Sequence, residues 1–431
     1  MIPPEGGESA PSAGSEAAAR EAALEVLRRV LRGAFLAPTL RAALDGAALD
    51  GRERSFVTDL CYGTMRYLPR LDAALAPHLR APDRLPERAR AALRLAAYEL
   101  LVRSTPRHAA VHAWVEVVKR HAPRLAGLCN AVLRRVEAPA GDAAEVRLAL
   151  PSWLLTRFAA ALGPEAAARA AEAMLTPAPL WLRAYAPDAE EALRAEGCEV
   201  RAGPLAGTLR VRAPVPLDVL SAYRHGKVQP QNPASTLPAS LLAPAAGEHV
   251  LDLAAGNGIK TAQLAAAGAR VTAVDVDARK GRAMDVNLGR LGLSAERRVA
   301  DLTRPTDLPA ASAVLLDAPC TGTGTLRAHP EIKLRLAPAD VAAAAERQRA
   351  MLETATSLLL PGGRLVYAVC SLTDLEGEQR IDALLAGHPE LRAEPPGEAV
   401  GGLPHVIAAH GAYVLPVDGL DGFYLAELRR S

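Results

Sequence analysis

From residue 247 onward, short apolar runs alternate with helical segments, and this alternation constrains the fold more than any other feature of the chain. Strands are predicted at 249–253, 270–274, 313–316 and 364–369, with helices at 260–267, 278–291, 339–360 and 374–386. Apolar strands separated by amphipathic helices build a parallel sheet covered on both faces, an α/β doubly wound arrangement that binds ligands at the C-terminal ends of its strands. The closing run GFYLAEL reads as an antiparallel edge strand.

The rest of the chain follows other periods. At 431 residues it is too long for a single core, so a multidomain chain is expected. Helical spacing over 18–35, 53–67, 71–79, 85–103, 107–121 and 125–136 predicts an all-α domain spanning 18–140. Over 145–244 helices mix with short strands in PLWLRAY and TLRVRAP, predicting a small α+β subdomain before the α/β domain at 245–431. The first 17 residues lack periodicity and are expected to be disordered.

Composition narrows the class. No apolar run approaches the roughly 20 residues of a membrane span, and the N-terminus lacks a basic start, so a soluble, cytoplasmic protein with no membrane partner is expected. Five cysteines make no disulfide framework in a chain of this size, which leaves free thiols. The net charge of +2 is unevenly divided: residues 20–137 hold 21 Lys plus Arg against 12 Asp plus Glu, or +9, so the remainder carries −7. A local basic excess favours a polyanion such as RNA; a solvated helical surface accounts for it equally well.

Two features of the α/β region carry chemistry. In VLDLAAGNGIKT a strand runs through a turn into a helix, and Gly256 and Gly258 allow the backbone to approach a ligand. Thr261 stands where a dinucleotide site needs a third small residue. Asp275, 17 residues after Gly258, ends the second strand where a carboxylate accepts hydrogen bonds from ribose hydroxyls, and Asp301 is placed for an adenine amino group or for a plain turn. The second feature is a pair of thiols. AVLLDAPCTGTG sets Asp317, Pro319 and Cys320 just past one strand, and GGRLVYAVCSL sets Cys370 just past the next. Adjacent parallel strands lie about 4.8 Å apart, so both thiols are expected in the ligand crevice. Cys61, Cys129 and Cys198 read as buried small hydrophobes. No metal is expected, since neither crevice cysteine forms a Cys-x-x-Cys pair and His329 completes no ligand set.

These segments resemble the Nop/Sun family of RNA (cytosine-C5) methyltransferases, in its RsmB-type branch acting on 16S ribosomal RNA. LCYGTMR (60–66) and CNAVLRR (129–135) are similar to the family's NusB-like helical domain, and GKVQPQNPAS (226–235) to its entry into the catalytic domain. LLDAPCTGTGTLRAHPEIKLR and YAVCSLTDLEGE are the most specific matches. The resemblance implies a NusB-like RNA-binding domain and a Rossmann-like methyltransferase domain using S-adenosylmethionine. Its substrate would be an unpaired cytosine of 16S ribosomal RNA, by resemblance cytosine 967, and the protein a monomer. Ala254, Ala255, Gly256, Asn257, Gly258, Ile259, Lys260, Asp275, Asp301 and Asp317 would contact the cofactor. Cys370 would attack carbon 6 and Cys320 would help release the product, a choice between the two thiols that the residues alone leave open.

That chemistry explains the thiol. Carbon 5 of cytosine is a poor nucleophile until a thiolate adds at carbon 6 and makes the ring an enamine. A free thiol titrates near about 8.5, so the attacking one needs nearby positive charge; Lys333 and a helix beginning at Ser371 are the candidates, with Asp317 placed to hydrogen-bond the base. Two departures stand out. The family usually reads Cys-Ala-Ala-Pro-Gly-Gly-Lys where this chain has Ala-Ala-Gly-Asn-Gly-Ile-Lys, and Val369 replaces a threonine before Cys370. Two alternatives remain open at this point: a non-catalytic RNA-binding assembly factor, and a DNA methyltransferase that attacks through Cys320.

Overall fold

The structure, a computed structural model, describes residues 13–139, 141, 143–395 and 400–431. The chain divides into two compact units, one comprising residues up to Ser152 together with His329–Arg335, the other Trp153–Ala328 with Leu336–Ser431.

The first unit is all-α, with helices Ala13–Leu31, Leu36–Asp45, Gly51–Leu75, Glu87–Leu101, Arg107–His121 and Ala126–Arg135. Apolar faces at helical spacing meet in one core, in which Leu27, Leu60, Leu93 and Trp114 are almost completely buried. Glu99 is buried among them, and its charge is offset by three donors: Arg20 Nη2 at 2.7 Å, Arg20 Nε at 3.2 Å and Trp114 Nε1 at 2.7 Å. Three expectations change. Residues 13–17 are helical, while 1–12 lie outside the described residues. A helix at Leu36–Asp45 joins those expected. The predicted helices 53–67 and 71–79 are one helix, Gly51–Leu75, with Pro69 inside it. An interior proline costs about 3 kcal/mol. Burial of Leu68, Leu71 and Leu75 around it, at roughly 1.5–3 kcal/mol each, outweighs that cost and keeps the helix continuous.

The second unit begins with helices Ser152–Leu162 and Pro164–Ala173. A small antiparallel sheet follows, made of β1 (Leu180–Ala184), β2 (Glu199–Ala202), β3 (Thr208–Arg212) and β4 (Val228–Pro230) in the order β2-β3-β1-β4. Helix Pro233–Leu242, capped by Asn232, leads into the large sheet. Its strands are β5 (His249–Leu253), β6 (Arg270–Asp275), β7 (Glu296–Val299), β8 (Ala311–Asp317), β9 (Leu359–Val369), β10 (Leu391–Glu394), β11 (His405–Ile407), β12 (Ala412–Val414) and β13 (Phe423–Arg430). The order is β11-β12-β13-β9-β8-β5-β6-β7, with β10 also pairing β13. Strands β5 to β9 run parallel and β13 joins β9 antiparallel, as expected of the closing run. The crossover helices are Ile259–Ala266, Ala278–Arg290 and Pro338–Ser357. Among the described residues, no helix is long and apolar enough to cross a membrane.

Candidate active site

The ends of β5, β6, β8 and β9 build the site. Past β5 the chain turns through Ala254, Gly256 and Gly258 at φ values of +61°, +59° and +79°. Glycine adopts this left-handed conformation freely, whereas Ala254 holds it at about 1–2 kcal/mol. At Gly258 space is also limiting, because an added Cβ would stand 2.3 Å from Cγ of the buried Met284. Gly258 caps helix Ile259–Ala266, and the Ala255 N–H donates to the Val274 carbonyl at 2.9 Å, tying the turn to β6.

Asp275, 8% exposed, fixes the same turn from the end of β6. Its Oδ2 accepts the Gly256 N–H at 2.9 Å and its Oδ1 the Asp277 N–H at 2.8 Å, with Lys280 Nζ 3.5 Å away. A carboxylate has about four acceptor positions, so capacity for a ligand remains. Asp301 closes a turn: its Oδ1 accepts from Thr303 N at 3.0 Å and from Thr303 Oγ1 at 2.6 Å. One of its oxygens thus serves the plain turn role, while the residue also faces the cavity.

That cavity, of about 620 Å³, is lined by Ala254, Asp275, Asp301, Asp317, Cys320 and Cys370. Helix Pro338–Ser357 adds Arg347 and Met351. Residues 255–260 form the turn and helix start behind Ala254, with Asn257 exposed. Lys260 is directed to Asp317, its Nζ 2.6 Å from Oδ2, and lies 5.5 Å from the Phe423 ring centre. Burial pulls the Lys260 ammonium down, but the negative charges of Asp317 and Cys370 outweigh it and raise its proton affinity. Asp252, fully buried behind the turn, is pushed up to about 7 by desolvation despite the Thr261 hydroxyl at 2.6 Å.

The two crevice sulfurs stand 3.3 Å apart, free and half-buried. Their adjacency follows from the parallel pairing of β8 with β9, which sets Asp317 opposite Ala368. The hydrogen bond with Cys370, burial, and the charges of Cys370 and Glu376 hold the Cys320 thiol well above its ordinary range. The other three cysteines are buried, and desolvation pushes Cys129 up to about 11.

Glu376 is a central residue that sequence reasoning did not single out, although it lies within the YAVCSLTDLEGE segment. It is fully buried. Its carboxylate accepts five hydrogen bonds: Oε1 takes the Thr321 N–H at 2.8 Å and Gln348 Nε2 at 3.1 Å, and Oε2 takes the hydroxyls of Thr321 at 2.5 Å, Ser371 at 2.6 Å and Thr373 at 3.0 Å. One carboxylate therefore binds the loop after Cys320 to the loop after Cys370. The two expected activators of the thiol are corrected. No helix begins at Ser371, whose hydroxyl is taken by Glu376; the next helix is Glu378–Gly387. Lys333 belongs to the first unit, where its buried ammonium donates to the Arg66 carbonyl and is pulled down to about 7 by burial and by Arg66. The cation at the site is Lys260, held there by Asp317.

A Rossmann-like sheet with a glycine turn and acidic strand ends places the chain among the S-adenosylmethionine-dependent methyltransferases, and comparison with known proteins agrees. Residues 239–429 match the family model described as 16S rRNA methyltransferase RsmB/F, and residues 17–138 match the NusB family. A ribosomal RNA small subunit methyltransferase B from Thermus thermophilus is 44% identical over 95% of this chain and 97% of its own length. A protein of the same name from Sodalis glossinidius is 35% identical over 89% and 91%. The crystal structure of PH0851 superposes with a TM-score of 0.80 at 25% identity, covering 98% of this chain and 99% of that one. The chain belongs to the family of ribosomal RNA small subunit methyltransferase B proteins.

Proposed function

We propose that this chain methylates carbon 5 of an unpaired cytosine in 16S ribosomal RNA, by resemblance cytosine 967, acting as a cytoplasmic monomer through a covalent Cys370 adduct. The observation that carries the reading is the pair of sulfurs 3.3 Å apart on the wall of the cavity that Asp275 and Asp317 also line. In this reading residues 18–140 bind RNA, 145–244 form the connecting subdomain and 245–431 perform the chemistry.

The cavity fits the cofactor. Its volume lies within the roughly 300–1,000 Å³ of small-molecule sites, and it combines apolar walls at Ala254, Leu302 and Met351 with convergent carboxylates. S-adenosylmethionine would supply an electrophilic methyl group there. Asp275 would accept from the ribose hydroxyls and Asp301 from the adenine amino group, with residues 254–260 and Asp317 framing the remainder.

The two thiols divide the work. The resemblance to the family gives the attacking role to Cys370, while its hydrogen bond with Cys320, burial and nearby negative charge hold the Cys320 thiol above its ordinary range. Cys370 sulfur forms a bond to carbon 6, and the displaced ring electrons make carbon 5 nucleophilic. Once Cys370 is a thioether, it bears no charge beside Cys320, which then gives its own proton to solvent and as a thiolate takes the carbon 5 proton. The electrons left at carbon 5 re-form the 5,6 double bond and expel the Cys370 thiolate. Asp317, held by Lys260, is placed to hydrogen-bond the base.

RNA carrying 5-fluorocytosine tests this, because fluorine at carbon 5 leaves no proton to remove and the adduct persists. Wild type and Cys320→Ala should form a stable protein–RNA adduct, and Cys370→Ala none. Adduct abolished in Cys320→Ala but kept in Cys370→Ala would assign the attack to the other sulfur. Absence of any adduct and of any methyl transfer by the wild type would leave an RNA-binding assembly factor.

A further inference from the structure

We infer that the groove between helices Arg107–His121 and Ala126–Arg135 is the seat of the RNA backbone on the first unit, which deepens the RNA-binding reading proposed above. Over residues 103–136 there are seven arginines and lysines against one acidic residue, Glu116. Residues 20–102 of the same unit carry 14 against 10, so the basic excess of the unit is concentrated on this helix pair. The groove is a concavity of about 770 Å³ whose rim is set by Arg107, His108, His112, Lys119, Asn130 and Arg134. The one carboxylate, Glu116, is matched by Lys119 at 2.5 Å.

Local structure holds the groove open and rigid. Arg107 donates to the carbonyls of Leu133 at 2.9 Å and Val136 at 3.0 Å, fastening the start of one helix to the end of the other. Val111 and Ala126 are buried at its floor, while His108, His112, Lys119 and Arg134 are exposed. Lys119 is matched by Glu116, while Arg107 and Arg134 bring further positive charge to the rim of the groove. A polyanion with regularly spaced charges fits such a groove, since each phosphate neutralised releases counterions, and Asn130 adds a neutral donor and acceptor for sugar or base.

The test measures binding of the full chain to a 16S ribosomal RNA fragment over a salt series, with methyl transfer recorded on the same samples. The variant Lys119→Gln/Arg134→Gln should weaken binding about tenfold or more. It should also flatten the dependence of log K on log salt by roughly 1.4–1.8, at about 0.7–0.9 for each of the two phosphates that are no longer neutralised. A control of equal charge change outside the helix pair, Arg41→Gln/Arg80→Gln, should shift both quantities much less. Equal effects in the two variants, or wild-type affinity and slope in the groove variant, would overturn the assignment. A wild type that binds RNA but methylates none would overturn the enzymatic reading instead, and would leave the groove to be judged by the same comparison.

Discussion

Replacing Glu376 by glutamine changes one oxygen for an amide nitrogen and removes one charge, at a residue that no ligand need touch. Its consequence can be worked out from the five hydrogen bonds it accepts. At the Oε1 position an NH₂ group would face the Thr321 N–H and the Gln348 amide, which is already donating to the Pro319 carbonyl at 3.1 Å. Neither donor can turn round. At the Oε2 position it would face three hydroxyls that can rotate and accept, so the amide is expected there, its two N–H groups keeping two of those three bonds in neutral form and losing the third. Hydrogen bonds to charged groups are worth about 1.5–3 kcal/mol and neutral ones about 0.5–1.5. Four bonds weakened by about 1 kcal/mol each and a fifth lost give a loss of roughly 5 kcal/mol, felt where the Cys320 loop meets the Cys370 loop. Glu376→Gln should therefore lower the melting temperature by several degrees. It should still form the 5-fluorocytosine adduct through Cys370 and slow product release, because Cys320 is the thiol whose loop is no longer firmly anchored. Single-turnover and steady-state kinetics on the full chain separate the two steps. Wild-type melting together with wild-type steady-state turnover in this variant would refute the assignment of Glu376 as the positioning residue.

Three further outcomes are expected. Gly258→Ala places a Cβ 2.3 Å from Met284 Cγ at φ +79°, and calorimetry should show S-adenosylmethionine binding weakened at least tenfold; unchanged affinity would show that the turn does not frame the cofactor. Lys260→Met leaves Asp317 without its 2.6 Å partner and removes the cation at the site, so turnover should fall about a hundredfold or more with the fold retained, and near-normal turnover would count against the role given to Lys260. Lys333 is pulled down to about 7, so the folded state penalises its charged form fully below that pH and is relieved as pH rises towards the unfolded value of 10.5. Lys333→Met should accordingly raise the melting temperature relative to wild type more at pH 6 than at pH 9, and a pH-independent difference would refute the buried charge.

Much of this is legible in the chain because it depends on local period and strand order. The β5–β9 alternation can be read directly, and with it the adjacency of Cys320 and Cys370, since neighbouring parallel strands put their following residues side by side. Asp301 with Thr303 two residues on carries the turn pattern in its own sequence. What stays hidden depends on closure in three dimensions. Glu376 reads as one more polar loop residue until the chain folds back to bring Thr321, Gln348, Ser371 and Thr373 around it. Ser371 reads as a helix start because its hydroxyl suits a cap, but that hydroxyl is claimed by Glu376 and Thr323. Pro69 reads as a helix break because its neighbours' burial cannot be weighed from sequence. Lys333, in the motif that follows Cys320, lies close to the thiols along the chain, whereas the fold gives it to Arg66.

The seven residues His329–Arg335 complete the helical unit from far along the chain. Glu331 accepts the Leu36 N–H at 3.1 Å, and Arg335 donates to the Ala34 carbonyl, satisfying groups at the start of the second helix. A ribosome adding about 5–20 residues per second reaches Arg335 roughly ten to forty seconds after it has made Ser152. During that interval the newborn N-terminal bundle waits with those groups open, so its final consolidation is timed by synthesis of the segment downstream of Cys320.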